Sequence, residues 1–276
     1  MNTQIGWFNG RWQQLDELKI PINDRGVSFG DGIFETILIW NQSPQLVSQH
    51  LERWRNSSVK LGMETPPKEE KIMKLIHEGL EHCSLDNGKG AIRLNWSRGR
   101  NQNRGINLPS QQLNFSSHRF WLEMYSNKPS FSRISTLISC NEKRNADSSL
   151  SSHKTFGYSQ AIQSRNEAKK QGYDDALLQS TNGAICCGST SNLIIKRDNQ
   201  LLTPSLKSGC LPGIMRQQGI NLGILKEAEL STSPNKNDEW LLINSLGCQS
   251  IYKVNDYELN TFTNTQDFWL LLYGLK

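Results

Sequence analysis

Strand-like and helix-like segments follow one another along this chain without regular βαβ alternation, and that order constrains its fold more than any other feature. Residues 5–13 read as a hairpin, two aromatic-bearing strands around Asn9-Gly10. Residues 33–40, IFETILIW, are β-branched and apolar and predict a strand. A turn at Asn41–Pro44 leads to a short strand at Gln45–Val47. Val47, Leu51, Trp54, Ser58 and Leu61 then fall at helical spacing, with Gly62 as the stop. Residues 67–82 predict a second amphipathic helix with Ile72, Leu75, Ile76 and Leu80 facing inward. Further strands are expected at 90–96, 119–125, 134–139, 175–179, 192–196 and 200–203, and helices near 157–170, after Pro212-Gly213 and near 266–274. This mixture is α+β and argues against a doubly wound sheet. A chain of 276 residues exceeds one typical domain. Two are expected, 1–125 and 134–276, joined by a polar, Ser- and Pro-containing linker at 126–133.

The composition narrows the function. No apolar run approaches the ~20 residues that span a bilayer, and the N-terminus lacks a basic stretch followed by an apolar one, so a cytoplasmic protein with no membrane partner is the expectation. The net charge is +5, but basic and acidic residues are interleaved. The densest basic stretch holds Arg93, Arg98, Arg100 and Arg104 without a nucleic-acid motif, so a small anionic substrate accounts for it better than nucleic acid does. The six cysteines form no CxxC pair and the five histidines show no metal-ligand spacing, so neither a disulfide framework nor a metal is expected.

Three Gly-punctuated segments are candidates for chemistry. Asp24 to Gly32 places Gly26, Gly30 and Gly32 within seven residues, which implies tight turns or close backbone approach. Cys187 to Asn192 sets small hydroxyls beside Gly188, a source of donors for an anion. Ser208 to Arg216 opens a helix with Pro212-Gly213, and a helix start seats phosphate well.

Together these segments resemble the class IV pyridoxal-phosphate (PLP) enzymes, which include branched-chain and D-amino-acid aminotransferases and 4-amino-4-deoxychorismate lyase. The matches run through nearly the whole chain: FNG at 8–10, DRGxxFGDGxFET at 24–36, HLERW at 50–54, Lys154-Thr155, GSTSN at 188–192, GCLPGI at 209–214 and INSL at 243–246. The resemblance implies the two-domain PLP fold type IV and a homodimer. It makes Lys154 the Schiff-base residue, carried by the C-terminal domain, and Arg53 the phosphate-binding arginine. It adds Ser189 and Asn192 to the cofactor contacts and gives the phosphate the backbone N–H groups of Ile214 and Met215, the latter standing where relatives often have Thr. It also gives Ser245 a second hydroxyl contact. Tyr158, one helical turn after Lys154, would hydrogen-bond the cofactor's ring oxygen.

One departure concerns the electron sink. Family members usually carry a Glu beside the pyridine nitrogen just before the GSTSN-like segment, and here that position is Cys187. A thiol, with a reference pKa of ~8.5, is a poor substitute for that carboxylate. Another group contacts the nitrogen, or the site is degenerate, or the reaction needs a weaker sink. The last option points to aminodeoxychorismate lyase, a step of folate biosynthesis, where aromatisation of the leaving 4-aminobenzoate helps drive the reaction and the remnant is expected to give pyruvate and ammonia. Thr36 and the NSL of 244–246 resemble the lyase members, with Thr36 a catalytic candidate. Arg98, Arg100 and Arg104 would then contact substrate carboxylates. The competing readings are a branched-chain or D-amino-acid aminotransferase and a degenerate PLP-binding protein without turnover.

Overall fold

The computed structural model describes residues 4–100, 105–108 and 117–275. They divide into two compact units: residues 1–128 with 154–157, and residues 129–153 with 158–276.

In the first unit, β1 (Gln4–Phe8) and β2 (Arg11–Gln14) form the expected hairpin. Asn9 (φ 49°) and Gly10 (φ 83°) both adopt the left-handed conformation that a two-residue turn of this hand requires. A single-turn helix, α1 (Arg25–Phe29), precedes β3 (Gly32–Trp40). The short strand that follows is β4 (Ser43–Pro44) rather than residues 45–47. Leu46, at φ 51°, ends the extended run and caps α2 (Val47–Lys60), which is followed by α3 (Glu69–His82). With β5 (Gly90–Ser97) and β6 (Arg119–Ser126), the strands form an antiparallel sheet in the order β2-β1-β6-β5-β3-β4. Side chains alternate across it. Ile33, Ile37, Ile92 and Leu94 point to one face and are buried against Leu51, Trp54, Ile72 and Ile76 of the two helices. The opposite face carries Phe34, Thr36, Arg93 and Asn95, by the same alternation and register.

The second unit holds β7 (Arg133–Arg144), α4 (Ser159–Lys170), β8 (Asp175–Ser180), β9 (Ile185–Gly188), β10 (Asn192–Arg197), β11 (Gln200–Pro204), α5 (Ile214–Asn221), β12 (Leu225–Ala228), β13 (Glu239–Asn244), β14 (Gly247–Val254), β15 (Tyr257–Glu258) and α6 (Thr265–Tyr273). Its sheet runs β12-β11-β10-β13-β14-β7-β8-β9, and β9 returns to pair with β10 at Cys187 and Asn192. That closure sets the Cys187–Asn192 segment between strands. The core is built from Leu177, Ile185, Leu193, Ile195, Trp240 and Ile251. Among the described residues no helix is long and apolar enough to cross a membrane.

Candidate active site

Residues 154–157 lie in the C-terminal half of the sequence but pack with the first unit. The reason is an open edge: β3 pairs with β5 on one side and with β4 only at its end. The Phe34 N–H donates to the Lys154 carbonyl and the Phe156 N–H to the Gly32 carbonyl, each at 2.9 Å. Lys154 is therefore pinned in extended conformation, and its half-buried side chain places Nζ 4.4 Å from the Phe34 ring centroid. This pairing overturns the expected helical turn from Lys154 to Tyr158. The helix begins only at Ser159, with Tyr158 as its cap residue in the second unit.

The glycines of the 24–32 segment serve this contact. A Cβ on Gly32 would stand 2.3 Å from the Phe156 ring and one on Gly26 2.8 Å from it. The charged residues around them brace the end of the sheet. Buried Asp24 accepts from the Gly26 N–H, the Ser97 hydroxyl and Arg119. Asp31 accepts from Arg25 at 2.7 Å and from Arg98 at 3.0 Å.

Two side chains that the sequence reading passed over face Arg53. The Arg53 guanidinium meets Glu35 as a fork, Nε to Oε1 at 2.8 Å and Nη2 to Oε2 at 2.5 Å. His50 Nδ1 lies 2.7 Å from Glu35 Oε2. Burial alone would raise the Glu35 pKa, but the Arg53 charge and the hydrogen bonds from His50 and Arg53 override it and hold the carboxyl at about 2. Burial lowers the His50 pKa, with the charges of Arg53 and Lys154 acting the same way against the pull of Glu35. His50 is thus neutral, and facing a carboxylate it donates its Nδ1–H. The motif HLERW carried the signal, since residues three apart share a helix face.

The polar face of the sheet holds a second network. Arg93 donates from Nε to Asn95 Oδ1 at 2.8 Å, and its Cζ lies 3.7 Å from the Phe34 ring centroid. Asn95 Nδ2 and Trp121 Nε1 both donate to Glu123 Oε1, at 3.0 and 3.2 Å. Because a carboxylate only accepts, Glu123 fixes the Asn95 amide with its oxygen toward Arg93. The terminal nitrogens of Arg93 have no hydrogen-bond partner among the described residues. Thr36, half-buried, stands opposite Arg93 in register. The spacing Arg-x-Asn within a strand was the legible sign that Arg93 and Asn95 share one face.

The three loop arginines are placed differently. Arg98 is buried and donates to Asp31 and to the carbonyls of Gly62 and Leu61. Arg100 is exposed, with its N–H bonded to the Ser117 carbonyl. Arg104 lies outside the described residues.

In the second unit, Asn192 donates to the Leu211 carbonyl at 2.8 Å and so ties the strand to the start of α5. A Cβ on Gly213 would stand 1.9 Å from Asn192 Oδ1, so only glycine fits this approach. No side chain caps α5, and the N–H groups of Ile214 and Met215 have no intrahelical acceptor, as at any helix start. Ser189 donates to Asp175 at 2.6 Å, and Arg165 holds that carboxylate by a second fork. Cys187 is buried with Leu178, Cys186 and Cys210, and all the cysteines are free thiols. The Ser245 carbonyl accepts from the Tyr273 hydroxyl at 2.9 Å.

The donor chemistry fits a phosphorylated aldehyde. In the second unit by itself, the glycine-bounded start of α5, whose first N–H groups lack intrahelical acceptors, suits a phosphate; in the first unit by itself, Lys154 offers an amine on a fixed backbone.

The sequence profile described as Amino-transferase class IV matches residues 32–254. D-alanine aminotransferase of Listeria monocytogenes is 25% identical over 246 residues, covering 86% of this chain and 82% of that protein. Aminodeoxychorismate lyase of Bacillus subtilis is 21% identical over 211 residues, covering 76% and 71%. The branched-chain amino acid aminotransferase of Escherichia coli shares the fold at a TM-score of 0.86 and 20% identity, over 98% of this chain and 94% of that one. The α+β fold is thus that of fold type IV, and the profile spans Phe34, Lys154 and the α5 start alike: the chain belongs to the class IV aminotransferases, a family of PLP-dependent enzymes.

Proposed function

We propose that the chain is a lyase that converts 4-amino-4-deoxychorismate to 4-aminobenzoate and pyruvate. The observation that carries this reading is Cys187, a thiol among Leu178, Cys186 and Cys210 at the position where, by the resemblance, family members usually carry a Glu. A reaction that ends in an aromatic ring tolerates the weaker electron sink.

When bound, PLP withdraws electrons from the carbon that bears the substrate amine. In this reading the N–H groups of Ile214 and Met215, with Ser245, would hold the phosphate; the resemblance also assigns a phosphate role to Arg53, which the first unit pairs with Glu35. Asn192 supports that helix start, Ser189 and Asp175 brace the strand turn, and Tyr158 contacts the ring oxygen. Lys154 would hold the cofactor through its amine, and that amine would take the proton from the amine-bearing carbon of the substrate. The bond from the neighbouring carbon to the enolpyruvyl oxygen breaks, the ring becomes aromatic, and the departing enolpyruvate regains a proton and tautomerises to pyruvate. The atom balance corrects the expectation of ammonia: the single nitrogen of the substrate leaves in 4-aminobenzoate. Thr36 offers its hydroxyl beside this chemistry. Arg93 takes the carboxylate contact in place of Arg98, whose guanidinium braces Asp31. Arg100 and Arg104 stay in the proposal as further substrate contacts by sequence position alone.

The test is the product. Purified enzyme with 4-amino-4-deoxychorismate should release 4-aminobenzoate and pyruvate in equal amounts, detected by chromatography. Cys187→Glu should depress that release and raise transamination of D-alanine or branched-chain amino acids with 2-oxoglutarate. Efficient transamination by the unaltered enzyme with no 4-aminobenzoate would identify it as an aminotransferase instead. PLP binding without either product would mark a degenerate site.

A further inference from the structure

The family profile ends at residue 254, yet a helix beyond it reaches back to the turn that carries Ser245. Buried Trp269 of α6 donates from Nε1 to the Asn244 carbonyl at 3.0 Å. Buried Tyr273, one turn on, donates from its hydroxyl to the Ser245 carbonyl at 2.9 Å. The next carbonyl, of Leu246, accepts from the Ser130 N–H at 3.1 Å. Three successive carbonyls are thus each turned onto a donor inside the protein. The two aromatic rings support one another edge to face with centroids 4.6 Å apart, and Phe131 packs edge-on against Trp269 at 5.4 Å. The Asn244 side chain completes the turn: its Oδ1 accepts from the Leu246 N–H at 2.8 Å and its Nδ2 donates to Ser191 at 3.0 Å.

This arrangement has an electrostatic consequence. A carbonyl oxygen carries partial negative charge and repels an anion, whereas N–H and O–H groups attract one. A turn that meets a phosphate must therefore keep its carbonyls facing away. We propose that Tyr273 and Trp269 are positioning residues that lock the Asn244–Ser245 turn with its carbonyls inward, so that only donors meet the cofactor phosphate. This rests on the placement of the phosphate at Ser245 in the reading above. Burial raises the Tyr273 pKa, so the phenol remains a donor throughout the working pH range.

Tyr273→Phe keeps the packing and removes one hydrogen bond. It should weaken the binding of PLP to the apoprotein by about fivefold, the size of one net hydrogen bond. The phosphorus resonance of the bound cofactor should shift toward that of free PLP. Binding of pyridoxal, which lacks the phosphate, should be unchanged, whereas a general packing defect would weaken both ligands. Trp269→Phe should behave the same way and serves as the second variant if the first folds poorly. Ser245→Ala separates the two layers of argument. If Ser245→Ala weakens PLP while both aromatic variants bind it like the parent, the locking role is wrong and the phosphate placement stands. If Ser245→Ala leaves PLP binding and the phosphorus resonance unchanged, the placement falls and the lock with it.

Discussion

Lys154→Ala should lower turnover by about 10⁴-fold or more, because in the proposed reading the same amine both holds the cofactor and moves a proton, and positioned acid–base groups alone contribute ~10²–10⁴. The loss should be chemical and not structural. Lys154 is fixed by its backbone bond to Phe34, which alanine keeps, and its side chain is only half-buried. Loss of the Nζ contact with the Phe34 ring should cost roughly 1 kcal/mol or less. The variant should therefore unfold at nearly the parent temperature, carry no cofactor absorbance after gel filtration, and show no product. Turnover within tenfold of the parent would assign the chemistry to another amine.

Glu35→Ala is expected to be the most damaging substitution for stability. Glu35 is buried, and the Arg53 side chain that it pairs with is only 12% exposed. Removing the carboxylate takes both forked hydrogen bonds from a largely buried guanidinium, and breaking a buried ion pair typically costs about 3–5 kcal/mol. His50 loses its acceptor at the same time. Urea denaturation should show the full loss in the apoprotein, and PLP affinity should fall as Arg53 swings away.

The pH dependence gives an independent check of the same pair. Both Glu35 and His50 have folded-state pKa values below their ordinary ones. Groups depressed in this way stabilise the fold above their unfolded pKa, and that contribution is lost as pH falls. The His50 part should begin to disappear below its ordinary value of 6.5, and the Glu35 part between 4.5 and about 2. The Glu35 shift corresponds to stability on the order of 3 kcal/mol. The parent should lose stability steeply below pH 4.5, and Glu35→Ala, lacking that group, should show a flatter acid limb. Parallel acid limbs would mean that Glu35 titrates normally and that the fork is weak.

Much of the fold was legible because its elements carry periodicity. The stripe of Val47, Leu51 and Trp54 became α2, and the β-branched run at 33–40 became β3. The Asp198-Asn199 turn joins β10 to β11 with both residues at positive φ. The missed strands have no such mark. β9 is four residues buried on both faces, so it shows no alternation. β13 is a nearly continuous apolar run, which reads equally as a motif or a buried helix segment. β7 runs from Arg133 to Arg144 and shifts register between Ile138 and Lys143, which hides its second half.

Candidate site residues were legible where a motif names them and illegible where tertiary pairing decides. Lys154 and Arg53, proposed here to hold the cofactor, stand in recognisable segments. Glu35 and His50 lie fifteen residues apart in sequence, and only the packing of α2 on β3 brings them together. Among the clustered arginines, nothing local distinguishes Arg98, which turns onto Asp31, from Arg93, which faces Phe34. Spacing can place a residue on a face, but the partner that claims its charge belongs to another element.

Reduction of the PLP-loaded enzyme with borohydride, followed by peptide mapping, addresses the lysine assignment most directly, because it fixes the cofactor covalently to whichever amine holds it. A single pyridoxyl-modified peptide, with the label on Lys154, is the predicted outcome. Label on any other lysine, or loaded enzyme that yields no labelled peptide, would contradict it.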